Sequence, residues 1–136
     1  MNDAKASTRQ EYRIPGLSPP ISHYTDAVRF GNLLFVSGVT ALDEIGAVTN
    51  PNDAVGQTRD IFKSLHKILR AAGADFKDVL RVTVYLTDVN DRAKINPIRK
   101  EFFGSARPAS TLIGVAALVF PELKVEIDAI AGIPGD

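Results

Sequence analysis

Residues 79–87, VLRVTVYLT, alternate strictly between apolar and polar or mixed positions. Leu80, Val82, Val84 and Leu86 fall on one side; Arg81, Thr83 and Tyr85 fall on the other. A period of two predicts a half-buried strand. The same alternation marks residues 124–131, where Val125, Ile127, Ala129 and Ala131 share one face and Glu126, Asp128 and Ile130 the other. Two short strands are predicted at 27–30 and 33–37, with Gly31-Asn32 between them as a tight hairpin turn. The second of these, LLFVS, is almost wholly apolar, which predicts burial on both faces or a central place in a sheet. A further strand is expected over 110–118, and residues 11–14 fit an edge strand.

Helical spacing appears twice. Ala54, Ile61, Leu65, Ile68, Leu69 and Ala72 recur on one stripe, predicting a helix from about Pro51 to Ala72. Asn50 is placed to cap it, Pro51 suits the first helical position and Asp53 suits the positive end of the dipole. Gly73 supplies the residue that ends it. A second helix lies within 91–103, with Ile95, Ile98, Phe102 and Phe103 on its apolar side. Pro97 conflicts with a helix interior, because it lacks an N–H and clashes one turn back. Either this helix kinks, or Asn96 caps a helix that begins at Pro97.

The resulting order is β-β-β-α-β-α-β-β. Two helices cannot cover both faces of so wide a sheet, so they are expected on one face of a two-layer α+β sandwich. The other face, carrying Glu126 and Thr83, is left open in a single chain. Closed cyclic assembly is the usual way such a face is covered.

Composition narrows the chemistry. The 136 residues suit one domain over 1–136, with the polar stretch 1–11 expected to fray at its start. Sixteen basic residues balance sixteen acidic ones, so no net field draws the chain to nucleic acid or acidic membrane. No basic, aromatic-rich stripe suggests nucleic-acid binding or cleavage. Cysteine is absent, which excludes thiolate nucleophiles and thiolate metal sites. The two histidines, His23 and His66, are far apart, and no spacing suggests a zinc site. Apolar runs are too short for a membrane span and the N-terminus lacks an apolar signal core. A cytoplasmic protein without metal is the expectation.

The segments HYTDAVRFGNLLFVSG (23–38), QTRDIFKSLHKILRAAGADFKDVLRVTVYLTDVND (57–91), INPIRKEFFG (95–104), RPASTLIGVAAL (107–118) and KVEIDAIA (124–131) together resemble the Rid, or YjgF-like, family. Their order and joint coverage from Pro19 onward carry the resemblance. It implies a chorismate-mutase-like fold, a homotrimer whose three sheets line a central barrel, and small-molecule clefts between subunits. It further implies cofactor-free hydrolysis of enamines and imines with release of ammonia.

The resemblance also singles out residues. Tyr24 matches a cleft tyrosine that binds substrate or closes the pocket; as a plain interface aromatic it would only need its hydroxyl satisfied. Ser37 matches a pocket serine, and Gly38 beside it would admit close backbone approach. Asn96 matches a cleft asparagine, or else serves as the cap before Pro97. Glu126 matches the glutamate that positions the attacking water, a task suited to a partly desolvated carboxylate.

One departure stands out. Deaminating relatives carry, in a Pro-Ala-Arg-Ser sequence, an arginine that grips the substrate carboxylate in a bidentate fork. Here Ser110 stands at that position and Thr111 follows. Arg107 lies three residues earlier, too far along a strand to take the same place, and either reaches the cleft from its rim or is an exposed loop charge. The expectation is a divergent deaminase whose substrate is not a standard 2-imino acid. The competing reading is a non-catalytic ligand-binding, chaperone-like or regulatory trimer on the same fold.

Overall fold

The computed structural model describes residues 8–135. Six strands form one sheet: β1 (Gln10–Tyr12), β2 (Ala27–Phe30), β3 (Leu33–Val39), β4 (Val79–Leu86), β5 (Ala109–Gly114) and β6 (Val125–Gly132). Two helices, α1 (Ala54–Ala71) and α2 (Arg92–Phe103), follow β3 and β4. The spatial order is β1-β2-β3-β6-β4-β5. All neighbours are antiparallel except β4 and β5, which are parallel and joined through α2. The element order and the α+β class match the expectation from the sequence.

Both helices lie against the same face of the sheet. Ile61, Phe62, Leu65 and Leu69 from α1 and Ile95 from α2 meet Leu34, Val82, Val84, Leu86, Val125, Ile127 and Ala131 in one core, all nearly inaccessible. Phe76, in the turn before β4, packs edge-on against Phe62 and Phe103. The opposite face stays open and carries Phe35 and Leu33 from β3, 46% and 41% exposed. The expectation that LLFVS is buried on both faces therefore fails in one chain: Leu34 and Val36 point to the helices, and Leu33 and Phe35 point away.

Four local expectations are corrected. Asn50 does not cap α1: it has φ 47°, and Asn52 has φ 62°, so the chain turns through left-handed backbone at 50–52. The helix starts after Asp53, whose side chain accepts from Gly56 N at 3.0 Å. Nor does Asn96 cap α2. That helix starts at Arg92 and contains Pro97; both Pro97 and Ala93, whose carbonyl loses its donor, are exposed, so water replaces the missing bond. In β4 an irregularity between Val79 and Arg81 turns Val79 inward and leaves Leu80 51% exposed. Finally, β5 ends at Gly114, not at 118, and residues 115–124 form the connection to β6.

The Gly31-Asn32 hairpin is as expected, with Gly31 at φ 63°. The edge strand sits at Gln10–Tyr12, one residue earlier than expected and inside the stretch expected to fray; residues 1–7 lie outside the described residues.

Candidate functional site

The bend that makes a site is in β3. Pairing with β6 slips between Val36 and Val39, so Ser37 and Gly38 swing out of the ladder beside the start of β6. A cavity of about 410 Å³ opens there. Its wall includes Tyr24, Ser37, Gly38 and Glu126, four positions singled out from the sequence, together with Asp26, Ile68 and Val119.

Each polar group has a defined state. Ser37 Oγ donates its proton to Thr25 O at 2.6 Å, so toward the cavity it can only accept. Tyr24 is 47% exposed, and its hydroxyl accepts from Ile21 N at 3.3 Å, leaving its own O–H free to donate. Asp26 is tied down: its Oδ2 accepts from Arg13 at 2.9 Å and from Ile14 N at 2.7 Å. Glu126 differs from Asp26. It is partly buried and has no hydrogen bond or ion pair among the described residues. Burial pushes its pKa above the ordinary carboxylate value, and the negative charge of Asp128 adds to the rise.

The space for that carboxylate comes from Gly38. A Cβ on Gly38 would lie 2.2 Å from Glu126 Oε2 and 2.9 Å from Cδ. Gly38 was expected to admit a ligand to the backbone; it instead admits the glutamate. The residues that tune Glu126 were not singled out as site residues. Asp128, two positions along the same face of β6, accepts from Tyr85 Oη at 2.9 Å, and Tyr85 is the register partner of Glu126. The alternation of 124–131 and 79–87 is the signal that puts all three on one face.

The remaining candidates lie elsewhere. Asn96 is exposed on α2. Arg107 is exposed in the turn before β5. Ser110 pairs with Val82, a core position, so its side chain is on the helix side of the sheet, where it accepts from Arg99 Nη2 at 2.9 Å. Thr111 points the other way and accepts from Arg81 Nη2 at 2.5 Å on the open face. Ser110 and Thr111 therefore flank opposite sides of β5 and cannot line one pocket together. Among the described residues no three His, Cys, Asp or Glu side chains cluster as metal ligands, and no helix is long and apolar enough to cross a membrane.

A sheet with both helices on one face and a carboxylate cavity at its bend is a known arrangement. RidA from an Antarctic Psychrobacter superposes with a TM-score of 0.85 at 29% identity, over 91% of this chain and 99% of that one. Residues 16–133 match the Endoribonuclease L-PSP family, and the chain belongs to that family, in which its Rid-like segments are also found. It is 36% identical over 118 residues to the 3-aminoacrylate deaminase RutC of Acinetobacter baylyi, covering 87% of this chain and 93% of that one. It is 38% identical over 111 residues to the 2-iminobutanoate/2-iminopropanoate deaminase of Mus musculus, covering 82% of each.

Proposed function

We propose that the protein is a hydrolytic deaminase of a small enamine or imine, working without a cofactor at clefts between the subunits of a homotrimer. One observation carries this reading: Glu126 is a partly buried carboxylate in a cavity, held in place by packing yet bound to no cation or donor. A purely structural carboxylate in such a place would be paired, as Asp26 is.

The chemistry follows from its protonation. An enamine first takes a proton on carbon from the neutral acid form of Glu126 and becomes an iminium. The carboxylate then accepts a proton from water as the water oxygen bonds to the iminium carbon. The resulting amino alcohol receives that proton on nitrogen, the C–N bond breaks, and ammonia leaves with a carbonyl product. A carboxyl group with a raised pKa serves both as acid and as base near neutral pH. Ser37 Oγ, restricted to accepting, is suited to the N–H groups of the departing amine. Tyr24 O–H is suited to the developing oxygen.

The trimer reading rests on the open face. Phe35, Leu33, Val28 and Ile130 form an apolar band on it, beside Glu126 and Asp128, and three such sheets facing inward would cover one another. A substrate other than a standard 2-imino acid is expected, because Ser110 removes the strand-borne guanidinium. The test is ammonia release from freshly generated imines by the native chain and by Glu126→Gln. Native turnover above the spontaneous rate, lost in the variant, supports a hydrolase. Ligand binding without turnover favours the non-catalytic alternative.

A further inference from the structure

Most arginines of the described chain that approach another charged side chain meet a carboxylate: Arg9 meets Glu11, Arg13 Asp26, Arg59 Glu101 and Arg70 Asp75. Arg99 does not. It reaches from α2 to the edge strand, is half-buried, and its side chain touches only the neutral hydroxyl of Ser110, at 2.9 Å. Burial pulls its pKa below the ordinary arginine value and no carboxylate acts in the other direction. A guanidinium withdrawn from water without a counter-ion is costly unless an anion comes to it.

Its partner is prepared for the same visitor. Ser110 Oγ accepts from Arg99, so its own O–H proton remains available to donate. Guanidinium has five N–H donors, and only one is used here. The pair thus offers several convergent donors and no acceptor that would repel a negative group. Arg107, the alternative cation, is exposed and touches neither residue.

We propose that Arg99 and Ser110 form the anion-binding half of the site and hold a carboxylate of the substrate. This rests on the deaminase reading and narrows it: the substrate is an acid whose carboxylate is met from the helix layer instead of from the strand. The partner copy is required. Ser110 lies on the helix side of the sheet, while Glu126 is paired with Tyr85 on the open face, and β4 stands between their strands. A small substrate cannot touch both within one chain. It meets Glu126 of one copy and Arg99 of the next.

The experiment titrates the full chain with propanoate and with propanamide, its neutral counterpart, by NMR chemical-shift changes. The native protein should bind propanoate more tightly than propanamide. Arg99→Gln should weaken propanoate about tenfold or more, the expected cost of a lost charge-assisted contact, and leave propanamide unchanged. Arg99→Lys should recover part of the loss. Equal binding of propanoate to Arg99→Gln and the native chain overturns the proposal, as does a native chain that does not prefer propanoate. Should Arg99→Gln fail to fold, Ser110→Ala at the exposed sheet edge gives the same comparison, and unchanged propanoate binding there overturns it equally. If propanoate binds as described while no imine is turned over, the hydrolase reading falls and the anion site stands.

Discussion

The carboxylate of Glu126 occupies the volume that a side chain on residue 38 would fill: Oε2 lies 2.2 Å from the point where a Cβ of Gly38 would stand. Residue 38 has no unusual φ, so its backbone tolerates alanine and only the contact forbids it. Gly38→Ala should leave the fold intact by circular dichroism and push the carboxylate aside. Misplacement of a reacting group by about 1 Å costs on the order of 100-fold in rate. Ammonia-release kinetics should therefore fall by roughly that factor.

Loss of the carboxylate itself should be more severe in rate and opposite in sign for stability. General acid–base groups contribute roughly 10²–10⁴-fold, so Glu126→Gln should slow turnover by that range. The folded state raises the pKa of Glu126, which means that it favours the neutral form. The neutral group's advantage is full below the ordinary glutamate value of about 4.3 and disappears as pH rises through the raised value. At neutral pH the ionised group burdens the fold. Glu126→Gln should thus melt higher than the native chain at about pH 7 and near it at about pH 4.

Asp128 supplies the second cause of that rise. In Asp128→Asn its negative charge is gone while Tyr85 can still donate to the amide oxygen. The acid limb of the native rate profile should lie above the ordinary glutamate range. The variant should move this limb to lower pH, read directly from rate against pH.

Gln57 ties the start of α1 to the connection before β6. It is fully buried, its Nε2 donates to Asn50 O at 3.0 Å and Glu122 O at 2.8 Å, and its Oε1 accepts from Lys124 N at 2.7 Å. Gln57→Ala strands three backbone groups. At about 1–3 kcal/mol for each buried group left unsatisfied, partly relieved by water, urea unfolding should show a loss of roughly 3 kcal/mol.

The sequence exposed some of this and hid the rest for physical reasons. Period-two alternation marked β4 and β6 because each has one buried face, and it placed Glu126 and Asp128 on the side away from the core. Helical spacing marked the core stripe of α1 for the same reason. Its start was misread because Pro51 is a good first helical residue in isolation, whereas left-handed Asn50 and Asn52 delay the helix until Asp53. Leu33 and Phe35 were read as buried because apolarity alone does not say which copy of the chain covers a face. Arg99 gave no signal at all. Its meeting with Ser110 depends on β5 lying parallel to β4 and on α2 crossing above that edge, and neither pairing is written in local periodicity. The site halves became distinguishable only once alternate residues of β5 were assigned to opposite faces.

The account stands most directly on assembly of the open face, and light scattering combined with ammonia release on the same sample tests it. The native chain should have three times the mass of one copy and turn over imine, and Phe35→Glu, placing a charge on the apolar band, should lower the mass and abolish turnover together. A native protein that is monomeric and fully active would contradict it.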